Sequence, residues 1–139
     1  MAFNGVLIKL GGSSGTAIPM KFISAETYQI TPNQRMELTA ERDSNGVLHR
    51  SVVSNKPVKI EFETPYLNNK QVQALNTLLT SNYTVASERK ISVYYYDTSS
   101  DSYKTESCYV PDIQYTINHI DVAGQKIVYN PIRIAFIGY

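Results

Sequence analysis

The sequence predicts a mainly β domain with one α-helix, and three observations carry that reading. Apolar and polar residues alternate at period two over several short stretches, the pattern of strands with one buried face. Tyr is over-used, with 11 Tyr against 4 Phe and no Trp. Its ring packs on a half-buried pleated surface while its hydroxyl reaches water or a partner. One segment alone, near the middle of the chain, has helical spacing.

The 139 residues leave room for one domain with one core, so residues 1–139 read as a single unit. Residues 1–26 hold a first strand, Val6 to Leu10, and the Gly/Ser-rich stretch Gly11 to Ile18, read as a flexible loop. Residues 27–65 read as a long hairpin. Met36, Leu38 and Ala40 alternate with Arg35, Glu37, Thr39 and Glu41, and Asn45-Gly46 is a strong turn signal because both residues tolerate positive φ. The return arm runs from Val47 to Phe62, with Val58, Ile60 and Phe62 alternating with Lys59, Glu61 and Glu63. Arms of about 15 residues at roughly 3.3 Å each approach 50 Å, longer than a domain of this size needs.

Residues 68–82 carry the helix. Asn68 or Asn69 can cap it, Val72, Leu75, Leu78 and Leu79 share one face, and Ser81-Asn82 can end it. Residues 84–139 supply the remaining strands. Ile91, Val93 and Tyr95 alternate with Ser92, Tyr94 and Tyr96, and the polar turn 97–102 leads into Tyr103 to Val110. Pro111-Asp112 breaks the run, Ile113, Tyr115 and Ile117 resume it, and the final stretch Lys126 to Tyr139 alternates again, with the C-terminus expected to complete a sheet.

Little in this chain suggests catalysis. Net charge is +1 with acids and bases interspersed, unlike the basic stripe that phosphate or lipid headgroups require. His49 and His119 belong to no metal-ligand spacing, and the single Cys108 sits in an apolar run where a buried, inert thiol is expected. The Gly11 to Gly15 stretch lacks the Lys-Ser/Thr ending of a phosphate loop. Glu61 and Glu63 share a strand face with Lys59, the mark of a solvated mixed face rather than a carboxylate pair. No signal peptide or membrane span is expected. The expectation is a non-enzymatic protein without cofactor or metal.

Several short motifs are similar to those of a known group. Tyr28-Gln-Ile-Thr-Pro, Ala40 through Arg50, Lys56-Pro-Val-Lys-Ile-Glu-Phe and the helix ending in Leu-Leu form one series. Ile91 through Asp97, Cys108-Tyr-Val-Pro-Asp112 and Ile132-Arg-Ile-Ala-Phe-Ile continue it. Together they resemble small tail tube and tail hub (distal-tail-like) proteins of phages and prophages of Gram-positive bacteria. The resemblance implies a tail-tube-like β-sandwich or open barrel with a long hairpin and one flanking helix. It further implies a hexameric ring at the tail hub or distal tip, surrounding a central channel and joining neighbouring rings. On that reading Arg35, Glu37, Thr39, Glu41, Lys59, Glu61 and Glu63 face the lumen, while Met36, Leu38, Ala40, Val58, Ile60 and Phe62 face the domain body.

Partners implied are further copies, neighbouring tube, tape-measure or baseplate proteins, and DNA in transit, with no membrane. The location implied is the virion tail, assembled in the host cytoplasm. Two alternatives stand beside the hub: a major tail tube protein, and a monomeric carbohydrate-binding β-sandwich using Tyr94, Tyr95, Tyr96, Tyr103 and Tyr109 as stacking platforms.

Overall fold

Strict alternation makes the centre of the molecule, where one strand buries every second residue: Ile91, Val93, Tyr95 and Asp97 are inward and Ser92, Tyr94 and Tyr96 outward. The computed structural model describes residues 3–34, 37–52, 54 and 57–139. In chain order its strands begin with β1 (Ile8–Leu10), β2 (Thr16–Ala17), β3 (Gln29–Thr31), β4 (Glu37–Arg42), β5 (Leu48–Val52), β6 (Lys59–Glu63) and β7 (Leu67–Asn68). Helix α1 (Asn69–Thr80) follows, then β8 (Tyr83–Val85), β9 (Lys90–Asp97), β10 (Ser102–Tyr109), β11 (Ile117–Asp121), β12 (Lys126–Tyr129) and β13 (Arg133–Gly138).

The large sheet has the order β2-β1-β9-β10-β13-β6-β3, with β8 also on β9, and a second sheet has the order β11-β12-β7. Among the described residues, strands β4 and β5 pair only with each other. The architecture is mainly β with one α-helix in antiparallel sheets, consistent with a β-sandwich-like fold. The inner face of the large sheet supplies Ile8, Leu10, Ile60, Phe62, Cys108, Ile134 and Phe136 to one core. At roughly 1.5–3 kcal/mol per fully buried apolar side chain, this face supplies much of the stability.

Helix α1 forms where its cap dictates. Asn68 Oδ1 accepts from Gln71 N–H at 2.9 Å and Gln71 Oε1 accepts from Asn68 N–H at 3.0 Å, a reciprocal capping box. Leu75 and Leu79 are buried, and Val72 and Leu78 are half-buried against the core. The Asn82 side-chain amide donates to Leu78 C=O at 2.7 Å and closes the far end.

The β9–β10 turn is held by a buried carboxylate. Asp97 accepts from Ser99 N–H (3.0 Å), Ser99 Oγ (2.7 Å) and Lys104 Nζ (2.8 Å), and it has no exposed surface. Burial pushes its pKa up, but Lys104 and the Ser99 donors outweigh burial and hold it at about 2. The Gly/Ser stretch is no free loop. It is the tight turn between β1 and β2, closed by Gly15 N–H to Gly12 C=O at 2.9 Å. A Cβ on Gly15 would lie 2.0 Å from Leu10 C=O, so the approach demands glycine.

Three further sequence expectations need correction. Ile113 to Ile117 is not a strand continuing from β10: residues 110–116 run irregularly after Pro111, and a separate hairpin, β11–β12, follows. Lys126 to Tyr139 is two strands in two sheets, divided at Asn130-Pro131, because proline cannot donate to a ladder. The long hairpin is interrupted in both arms, with β3 and β6 in the large sheet and β4 and β5 outside it.

Yet the ladders at its base and its tip share one register. Gln29↔Glu61, Ile30↔Ile60 and Thr31↔Lys59 at the base are equidistant from Asn45, and so are Thr39↔Ser51 through Arg42↔Leu48 at the tip. Gln34 N–H donates to Pro57 C=O at 2.8 Å between them. Only Glu37↔Val52 is out of step, at a bulge. At the turn, Asp43 Oδ1 accepts from Asn45 and Val47 N–H, and Gly46 alone takes positive φ (81°); Asn45 does not.

Candidate assembly surfaces

Because antiparallel partners share a face, the ladder register specifies what the large sheet shows to solvent. Lys9, Tyr94 and Thr105 lie side by side, as do Tyr96 with Tyr103, Tyr109 with Ile137 and Lys59, Gln29 with Glu61, and Glu63 with Arg133. Of the described residues on this face only Ala135 is buried. Tyr94 and Tyr103 stack at 5.1 Å between centroids, and Lys9 Nζ sits 5.8 Å from the Tyr94 centroid. At the other end Glu61 pairs with Arg133 and, at 3.9 Å, with Lys59. A shallow depression of about 340 Å³ opens there between Glu26, Thr27, Gln29, Glu61, Glu63 and Arg133. The face is rich in hydroxyls, and Glu61 is tied to bases.

The hairpin tip contrasts with this. Every residue from Glu37 to Ser51 is exposed, including Leu38 (67%), Val47 (54%) and Leu48 (43%). Its polar contacts are internal: Arg50 with Glu37, His49 Nε2 with Asp43 Oδ2 at 3.0 Å, and Arg42 Nη1 to Gly46 C=O at 2.8 Å. The His49 contact is the main cause that lowers the Asp43 pKa.

Of the residues expected to face a lumen, Lys59, Glu61 and Glu63 lie together on the open face of the large sheet. Glu37, Thr39 and Glu41 lie in the separate two-stranded tip, and Arg35 lies outside the described residues. Val58, Ile60 and Phe62 are buried, whereas Leu38 and Ala40 are exposed because no layer lies beneath the tip; Met36 is outside the described residues. Alternation alone could not find Arg133, Tyr94, Thr105 and Ser107, since their neighbours come from distant strands.

The residues considered for chemistry are dispersed. Cys108 is fully buried, and burial, followed by the nearby Glu106 charge, pushes its thiol up to about 12, so it is no thiolate at neutral pH. His119 is exposed and its Nδ1 lies 2.7 Å from Asn118 Oδ1. Among the described residues no cluster of three His, Cys, Asp or Glu could hold a metal ion, and no helix is long and apolar enough to cross a membrane.

Three comparisons bear on these surfaces. The model of a family described as "Family of unknown function (DUF6711)" matches residues 1–139. No curated protein matches the chain. Among solved structures, the chain is similar to one from the "Tail of empty GTA particle computed with helical refinement, C6 symmetry". Identity is 13%, coverage is 99% of this chain and 95% of the other, and the TM-score is 0.53. The likeness is one of fold, and it extends over nearly the whole of both chains.

Proposed function

We propose that this chain, which belongs to the DUF6711 family, is a structural component of a phage or phage-like tail. It forms a hexameric ring around a central channel and joins the rings above and below. The observation that carries the reading is fold likeness, end to end, to a chain of a C6-symmetric tail. Two features support it: a sheet face left open over seven strands, and a hairpin tip without cover from its own domain. A monomer gains nothing from an unpaired edge of this kind, whereas a ring pairs or covers it.

On this reading the open face of the large sheet is the channel wall. Lys59, Glu61 and Glu63 form one margin of it, Tyr103, Thr105 and Ser107 its middle, and Lys9 with Tyr94 the other margin. Hydroxyls beside paired charges present DNA with a wall that wets the phosphates without gripping them. Glu37, Thr39 and Glu41 continue the polar margin beyond the sheet.

Two positions fit the ring: the hub or distal tip that the sequence resemblance implies, and the repeating tube. The similar chain comes from a tail treated with helical refinement, which favours the repeating tube. Electron microscopy of the concentrated protein tests the proposal. Six-fold rings or stacked tubes with a central channel are the expected result. A particle that stays monomeric at every concentration and binds oligosaccharide would instead support the carbohydrate-binding alternative.

A further inference from the structure

A second hairpin, absent from the sequence expectations, has one bare strand, β11, beside the half-buried β12. Every residue of β11 is exposed, and Ile117 (47%), Ile120 (58%) and Val122 (82%) leave apolar surface in water. Among the described residues, strand β11 pairs with β12 alone, which leaves its outer edge without a partner strand. We propose that in the ring the β4–β5 tip of one copy docks on the β11–β12 hairpin of the next copy. The inference rests on the ring reading above and names the two surfaces that close it.

A ring is built from heterologous contacts, in which two different patches of one chain complement each other. Both hairpins of this chain expose apolar side chains: Leu38 and Leu48 on one face of the first, with Val47 beside its turn, and Ile117, Ile120 and Val122 on the other. Tip-to-tip pairing would be isologous, closing at two copies and leaving the β11–β12 patch bare. Charge does not oppose docking. Arg50 is held by Glu37, His49 by Asp43, and Asp121 accepts from Gly124 N–H at 3.1 Å, so these polar groups beside the two patches already have partners within the chain. Strands β5 and β11 are also equal in length, five residues each, and each has an unpaired edge that a neighbour can extend.

Cysteine cross-linking tests the pairing in the full chain, since the native Cys108 is buried and silent. The double variant Leu48→Cys/Ile120→Cys, oxidised after assembly, is expected to give a non-reducing ladder rising to the ring number. Either single variant should give no ladder. Ile120→Asp should raise the concentration for half-assembly about tenfold, roughly one apolar contact's worth of affinity, with an unchanged melting temperature. If light scattering shows rings while the double variant yields no ladder, or Leu48→Cys alone yields dimers, the pairing is wrong and the ring reading stands. If no oligomer forms under any condition, both fall.

Discussion

The base and the tip of the 29–61 hairpin are built in one register from similar alternation, yet their environments are opposite. At the base, Ile60 and Phe62 have almost no exposed surface and pack with Phe136 and Ile134 across the β6–β13 ladder. At the tip, Leu38 keeps 67% of its surface in water, and among the described residues β4 and β5 pair with no third strand. The difference teaches that alternation specifies two faces but not what covers them. Cover at the base comes from the chain itself; at the tip the described part of the chain supplies none.

The comparison breaks most sharply on paired truncations. Phe62→Ala should cost about 3–5 kcal/mol in urea unfolding, because it leaves a cavity in the shared core. Leu38→Ser at the tip should change the stability of the isolated chain by less than about 0.5 kcal/mol while reducing assembly. Equal losses at the two sites would mean that the tip packs on its own domain.

Acid provides the next test. The Asp97 carboxyl is held below its unfolded value, so its stabilisation is complete above about pH 4 and disappears as pH falls towards about 2. The size is about 2 kcal/mol, and Asp97→Asn should remove that acid limb from the stability profile. Because Asp97 closes the β9–β10 turn of the large sheet, the loss should melt that sheet rather than the tip. A smaller effect is expected at the helix, where Asn68→Ala removes one half of the capping box and should cost about 1 kcal/mol by thermal unfolding.

Much of this fold was legible in the residues. Ile91, Val93, Tyr95, Ile134 and Phe136 alternate because they cross one core, and Asn68 with Gln71 marks the helix start by its capping chemistry. The β11–β12 hairpin was not legible, since its apolar residues Ile117, Ile120 and Val122 serve no internal core and keep no period. Nor could the sequence reveal that Leu38 and Ala40 repeat at period two on an arm lacking a layer beneath, because the break after β3 leaves the pattern intact. The candidate channel face was half visible: Lys59, Glu61 and Glu63 share parity within β6, but their junction with Arg133 and Tyr109 depends on ladder order across the sheet.

Hydrogen exchange before and after assembly tests the central claim, that the tip is finished only by a neighbour. In the isolated chain, amides of β4 and β5 should exchange quickly while those of β6 and β13 stay protected, and on ring formation the tip should gain protection with little change at the base. A tip already protected in the isolated chain, or one still exchanging freely in the assembled ring, would contradict the account.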